Sequence, residues 1–333
     1  MKLSVIIPAF ENPGQLRIML ESLGPALNNL DCASEVFVVD DASRADLGSV
    51  AREFPFARYL RLTTNSGPAA ARNAGVKASS GDYVVFFDSD VALKPDTLRL
   101  FEETFNAGTE AVIGEYADKP LSKGIFPQVK CLITKSWTPR GNYVSIFAPR
   151  ACGMKRSVYE DAGGFNEEIR TASVEDYEFG DRLLAKGHNI LYNPNILVYH
   201  HHPSFMKQCR VFYERSRDLS KYLINRRRPY EWCASNAEGV SSIAGTAFVV
   251  FAAAAVIAGS AVTGAAAVLF FAVFTAANFN FVRITVRDRG AGFLLAALFF
   301  KLGLCLPITA GFAVGSVLYV ARAAAGMLGK RGK

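Results

Sequence analysis

The chain has 333 residues, half of them apolar and a fifth charged, with a formal net charge of +7. A disordered chain would be poorer in hydrophobics and a collagen-like one would repeat glycine, so both classes are excluded. The length suits two modules, and the apolar residues crowd into the last third.

Residues 3–7 (LSVII) read as a buried parallel strand that Pro8 stops. This apolar run is too short for a cleaved leader, and Pro8 and Glu11 follow at once, so the first two-thirds is expected in the cytoplasm. Leu16, Met19, Leu20 and Leu23 recur at helical spacing until Gly24-Pro25 ends the helix. Residues 35–39 (EVFVV) form a second strand ending in Asp40-Asp41. Asn65 or Ser66 caps a helix that starts at Pro68. Residues 83–87 (YVVFF) form a third strand, ending in Asp88-Ser89-Asp90. Strand and helix alternate as in an open α/β sheet, where ligands bind beyond the carboxyl ends of the strands. Three polar strand ends therefore make one site.

The chemistry of that site is carboxylate-rich. PAFENPG lacks the GxGxxG of a dinucleotide fold, and no GxxxxGK[ST] loop occurs. Asp88 and Asp90 are two apart, so on extended chain both leave the same face. Two converging carboxylates suit Mg²⁺ or Mn²⁺ bridging to substrate phosphates. The alternative, solvated loop acids, is disfavoured by the second acidic pair at Asp40-Asp41.

Farther on, the aromatic stretch 126–147, with Trp137 and Tyr143, either lines a pocket or belongs to the core. Glu175-Asp176 opens a helix through Phe179, Leu183 and Leu184 that stops at Gly187. His188 reads as solvated. His200-His201-His202 follows a strand (ILVY), and adjacent histidines cannot all face one ion. Six scattered cysteines without CxxC spacing argue against a zinc ribbon or a disulfide scaffold, and read as reduced thiols.

The series VIIPAFENPGQL, VFVVDDAS, NSGPAAARNAGV, GDYVVFFDSD, GGFNEEI and VEDYEFGDRLLAKGH resembles the family 2 glycosyltransferases over residues 2–202. The resemblance implies the GT-A fold, a Rossmann-like α/β architecture, and an inverting enzyme using a nucleotide-diphosphate sugar and a divalent metal, Mg²⁺ or Mn²⁺. By position, Pro8, Ala9, Phe10, Glu11 and Asp41 would hold base and ribose, with Arg72 and Ser89 also at the nucleotide sugar. Asp88 would contact ribose or metal, and Asp90 and His200 would bind the metal. Asp176 would be the general base, with Glu175 second. Gly153-Met154 falls where the family places an acceptor-pocket segment. The family usually has Asn where Glu11 stands and Asp where Asn166 stands. The QxxRW motif of its processive synthases is absent, which favours single transfer. UDP, GDP and dTDP donors all fit residues of this kind.

Phe205, Cys209, Phe212, Leu219 and Leu223 then fall at helical spacings, with Lys207, Arg210, Arg215, Arg217 and Lys221 between them. Such a basic amphipathic helix can lie among lipid headgroups. Arg226-Arg227-Arg228 reads as a positive-inside anchor rather than a nucleic-acid contact, because it directly precedes an apolar region. Residues 239–282 carry no charge and suit two helices joined near Gly259-Ser260 or Gly264, with Arg283, Arg287 and Arg289 back in the cytoplasm. Residues 293–320 read as one span kinked at Pro307, or as an interfacial helix up to Lys301 followed by a span. Two to three spans are expected.

The expected organisation is a GT-A catalytic domain over 1–202, a basic juxtamembrane helix over 203–238, membrane helices over 239–325 and a basic tail over 326–333. The expected function is transfer of one sugar to a lipid-linked or membrane-proximal acceptor, at the cytoplasmic face of a bacterial-type inner membrane, in cell-envelope glycan chemistry. Lipid bilayer is an expected partner and nucleic acid is not. The rivals are a nucleotide-sugar-binding membrane protein without transferase activity, and a sugar nucleotidyltransferase, which would want a basic, Gly-rich loop where PAFENPG stands.

Overall fold

A computed structural model describes residues 1–139, 141–225 and 236–331, with the side chains of Asn225 and residues 326–331 left aside. The triple-arginine run, RRRPYEW and Cys233 lie outside the described residues. The chain forms two compact units, Met1–Ser122 with Pro139–His202, and Lys123–Thr138 with Pro203–Lys333.

The first unit is an α/β domain. In order it has β1 (Lys2–Ala9), α1 (Pro13–Asn28), β2 (Ala33–Asp40), α2 (Leu47–Arg52), β3 (Ala57–Arg61), α3 (Pro68–Ala78) and β4 (Tyr83–Phe86). β5 (Val91–Leu93), α4 (Thr97–Asn106) and β6 (Ala111–Tyr116) follow. The chain then makes α5 (Ile125–Ser136), which belongs to the second unit, and returns with β7 (Tyr143–Val144), β8 (Cys152–Lys155), α6 (Arg156–Ala162), α7 (Glu175–Ala185) and β9 (Ile190–His200). The strands run β3-β2-β1-β4-β8-β6-β9-β5 across one mixed sheet, with β7 beside β9. β3, β2, β1 and β4 are mutually parallel, and β8 enters antiparallel between β4 and β6. Leu3, Val5 and Ile7 of β1 and Val36 and Val38 of β2 join Leu16, Met19, Leu20 and Leu23 of α1 in one core.

Two prolines do not end their elements. Pro8 pairs within β1, opposite Val39. Ile6 accepts from Phe87 on the β4 side, and Pro8 faces that same side two residues on, beyond the last β4 pair. Its missing N–H therefore costs no ladder bond. α1 likewise runs through Gly24-Pro25 to Asn28, because Ala26 continues the buried stripe. The start of α3 also differs from the expected cap. Gly67, at φ 89°, is the N-cap, and neither Asn65 nor Ser66 caps it. α2 and the half-exposed edge strand β3 carry patterns too weak to read from sequence.

The second unit adds α8 (Phe205–Asn225), α9 (Asn236–Ala258), α10 (Ala261–Ala277), α11 (Phe279–Arg289) and α12 (Ala291–Arg331) to α5. Phe126, Val129 and Ile133 of α5 pack with Phe281, Ile284, Ala297 and Leu304 of α11 and α12. α9 and α10 form an antiparallel hairpin, with Phe251 stacked on Phe270 and Asn278 donating to Ser241 Oγ at 2.7 Å. Two helices, Asn236–Ala258 and the Ala291–Ala325 part of α12, are long and apolar enough to cross a membrane. α10 and α11 together would make a third span bent by 70°. Membrane association follows from these lengths and compositions.

Candidate active site

The carboxyl ends of the central strands carry the expected acids, and each finds a partner from a distant element. Arg72 of α3 is buried, and its guanidinium donates to Asp88 Oδ1 at 3.0 Å and Glu175 Oε1 at 3.3 Å. The Phe165 ring lies beneath it, 5.3 Å away. Glu175 is itself buried, and its other oxygen accepts the Ser173 N–H at 2.8 Å. Asp176, the next residue, is half-buried at the start of α7, and Oδ1 accepts the Tyr177 N–H at 3.0 Å. The two neighbours thus differ sharply in environment.

Asp90 and His200 meet as well. His200 Nε2 lies 3.2 Å from Asp90 Oδ2. Burial alone would raise the Asp90 carboxyl. The His200 imidazole and the local backbone N–H outweigh it, so Asp90 sits below the usual carboxylate range. On its far side, His200 Nδ1 is 2.9 Å from Nδ1 of the buried His202. Two ring nitrogens at that distance share one hydrogen, which fixes the tautomer of each ring relative to the other. The Tyr116 ring lies tilted against His200, at 4.6 Å between centroids. His201 turns away to Gln15 of α1, at 2.8 Å. The triple-histidine run therefore divides into three tasks.

The donor set of Asp90 and His200 fits a hard divalent ion. Two ligands on adjacent corners of an octahedron, each ~2.1 Å from the ion, stand about 3 Å apart. Oδ2 and Nε2 stand 3.2 Å apart. Asp88 faces Arg72 instead, and among the described residues no group of three or more His, Cys, Asp or Glu is gathered for an ion.

Other expected ligand residues hold the loops of the site. Pro8 and Ala9 end β1, and Phe10 beside them is 47% exposed. Glu11, at φ 53°, accepts the N–H groups of Arg44 and Ala45 at 2.7 and 3.2 Å. Its own N–H donates to Ser43 Oγ at 3.0 Å. Asp41 accepts the N–H groups of Ser66 and Gly67, both at 2.8 Å, so it holds the turn that leads into α3. Ser89 Oγ accepts Asn12 Nδ2 at 2.7 Å. Asn12 fastens the first loop to the Asp88–Asp90 turn, and no sequence pattern marked it.

Several remaining readings are corrected or divided. His188 is not simply solvated: its ring bridges Glu110 and Asp161 at 3.1 and 3.2 Å. These carboxylates overcome burial and raise its pKa. Gly153 and Met154 lie buried inside β8, paired with β4 and β6, rather than lining an acceptor pocket. A Cβ at Gly153 would lie 2.9 Å from the Phe105 ring, so close packing explains the glycine. The aromatic stretch splits three ways. Phe126 and Trp137 join the second unit's apolar cluster, Phe147 is buried in the first, and Tyr143 is 60% exposed.

Comparisons with known proteins place the chain by sequence and by fold. The family model described as "Glycosyl transferase family 2" matches residues 4–163. An uncharacterised glycosyltransferase of Haemophilus influenzae is 27% identical over 204 residues, covering 55% of this chain and 62% of that protein. The pre-mycofactocin glycosyltransferase of Mycobacterium tuberculosis is 28% identical over 224 residues, covering 60% of this chain and 42% of that one. The chain thus spans less than two thirds of the length of these relatives. A solved mannosyltransferase from Pyrobaculum calidifontis, in complex with GDP-Man and Mn²⁺, superposes with a TM-score of 0.53 at 16% identity. It covers 96% of this chain and 86% of its own, and the likeness is one of fold.

Proposed function

We propose that this chain, whose residues 4–163 form a glycosyl transferase family 2 domain, moves one sugar with inversion from a nucleotide-diphosphate sugar to a lipid-linked or membrane-proximal acceptor. The observation that carries the reading is the convergence of Asp88, Arg72 and Glu175 in one bonded chain beside the Asp90–His200 pair. It brings the end of β4, the face of α3, the start of α7 and the end of β9 to one place.

The donor side lies with Pro8, Ala9, Phe10, Glu11 and Asp41. The exposed Phe10 ring offers a flat apolar face to a base. The backbone holding Asp41 and Glu11 keeps those loops in register with the turn at Ser89. A Mg²⁺ or Mn²⁺ ion on Asp90 and His200 would supply positive charge to the leaving diphosphate. Arg72 adds a fixed cation beside Asp88.

Asp176 takes the proton of the acceptor hydroxyl, and Glu175 holds Arg72. A carboxylate at a helix N-terminus stays ionised, which keeps the base ready but weak. The negative diphosphate opposite would strengthen it. The membrane helices would hold the enzyme at the cytoplasmic face of the inner membrane, where Arg283, Arg287 and Arg289 flank the apolar hairpin on the positive side.

The test uses the full chain in lipid vesicles. A panel of UDP-, GDP- and dTDP-sugars with Mn²⁺ should raise the melting temperature for one donor class, and that donor should release its nucleoside diphosphate when membrane lipid is added. Failure of every sugar nucleotide to bind sinks the reading. Binding without release or hydrolysis would favour a sensor over an enzyme.

A further inference from the structure

α12 contains a long apolar segment, but α8 limits how deep it can go. The two helices run parallel in backbone contact. A Cβ on Gly303 would lie 2.6 Å from the Phe205 ring, and one on Gly311 would lie 2.2 Å from the Tyr213 carbonyl oxygen. At Gly315 it would lie 2.2 Å from both the Arg217 carbonyl oxygen and Ser220 Oγ. The residue offset is 98 for Phe205, Tyr213 and Arg217 alike, so α8 tracks α12 without drifting away.

α8 is not a helix that hydrocarbon tolerates. Its 21 residues include Lys207, Arg210, Glu214, Arg215, Arg217, Asp218 and Lys221. Lys207 and Arg210 are exposed. If α12 crossed the bilayer, these groups would be carried to the depth of residues 303–315, in the middle of the apolar segment. The part of α12 before Gly303 has 12 residues, short of the ~20 that a span needs.

A second contact gives the same level. Lys301 is buried, with Nζ 2.8 Å from both carboxylate oxygens of Glu238. Glu238 stands in the first turn of α9, at the mouth of the hairpin. Lys301 is thereby held at the membrane edge rather than ten residues into a span. Meanwhile Leu295, Phe299, Leu306, Val317 and Val320 are exposed at helical spacing, away from the glycines.

We propose that α12 lies along the membrane surface, with that apolar stripe on the lipid and α8 on the water side, and that the α9–α10 hairpin alone enters the bilayer, by its part beyond Thr246, which bonds Thr309 of α12 at 3.0 Å. The proposal rests on the membrane reading above. It makes the second unit an interfacial raft with one inserted hairpin, and keeps both ends of α12 on one side of the bilayer.

The test is spin-label depth in the full chain, reconstituted in vesicles of phosphatidylglycerol and phosphatidylethanolamine. Cys32, Cys209 and Cys233 are replaced by Ser, the buried Cys131, Cys152 and Cys305 are kept, and single labels are placed at exposed positions 256, 295, 306 and 317. Collisions with oxygen and with a water-soluble nickel chelate report depth. Positions 295, 306 and 317 are expected at one shallow depth, with 256 deeper. A depth maximum at 306, with 295 and 317 shallow, overturns the proposal and leaves membrane anchoring intact. Water exposure at all four positions overturns both.

Discussion

Arg72 and Glu175, 103 residues apart in the chain, meet as a buried ion pair at 3.3 Å. That contact separates the duties of two adjacent carboxylates. Glu175 is committed to holding a guanidinium, whereas Asp176 stands half-buried at the first turn of α7. A charge without its partner in a buried place is costly, and a half-exposed acid is not.

The two acids should therefore fail differently. Asp176→Asn should lower transfer by about 10²–10⁴ while leaving donor binding and melting temperature near those of the parent. Glu175→Ala should lower stability by about 3–5 kcal/mol, because Arg72 stays buried with half its partners gone. Rates and melting curves measured on the same preparations decide it. A stable Glu175→Ala protein with no transfer would exchange the roles.

His202 should act through His200. For His200 Nε2 to hold an ion beside Asp90, its Nδ1 must carry the hydrogen, and His202 Nδ1 is there to accept it at 2.9 Å. His202→Phe should weaken Mn²⁺ binding by about 10–100-fold, and His202→Gln, which keeps an acceptor, should restore much of it. Titration of free Mn²⁺ by electron paramagnetic resonance reads this without turnover. Equal affinity in parent and His202→Phe would remove His202 from the metal's support.

Glu35 predicts an acid limit to the first unit. Burial pushes its carboxyl up, but the Ser80 backbone N–H, Lys2 and Ser4 pull it from 4.5 down to about 2. The unfolded chain then binds a proton more readily than the native one. The Glu35 contribution is complete above about pH 4.5 and is lost as pH falls toward 2. Glu35→Gln should cost about 2–3 kcal/mol at pH 7 and flatten the fall in stability between pH 5 and 2. Denaturant melts across that range measure the slope, and an unchanged slope counts against the assignment.

Lys301 and Glu238 offer a double-mutant cycle. Lys301→Met alone leaves the half-buried Glu238 carboxylate without its ammonium partner, though Trp137 Nε1 still donates to it at 2.7 Å, and should destabilise by about 1–3 kcal/mol. Adding Glu238→Leu should recover much of that loss. Additive losses in the double mutant would mean that the pair does not act as a unit.

The parts of this protein that could be read from sequence are the local ones. VFVVDD and YVVFFDSD declare buried strands with acids at their ends, because a run of apolar residues and its polar stop lie side by side in the chain. The pairings that build the site are not of that kind. Nothing around Arg72 points to Glu175, nothing around Asn12 points to Ser89, and only the family resemblance, not the local pattern, singles out His200 from three histidines as the neighbour of Asp90. Such partners are chosen by strand order, and the mixed order β4-β8-β6-β9 cannot be inferred from periodicity. The prolines misled for a related reason. Whether a missing N–H matters at Pro8 depends on where the neighbouring strand stops, and that is a fact about β4 rather than β1. α5 is the largest surprise: an amphipathic helix between two strands of one sheet takes its core from the other unit.

The placement of β9 has a consequence for how the protein is made. It lies between β6 and β5, and among the described residues β5 pairs with no other strand. Val91 waits for His200, so Asp90 lacks its support until more than a hundred further residues have been synthesised. Pairings so distant close slowly. A nascent chain arrested before residue 190 would expose the edges of β5 and β6 together and lack the Asp90–His200 pair. The strand that completes the sheet also delivers His200, so assembly of the site and closure of the first unit are one event on the ribosome's timetable.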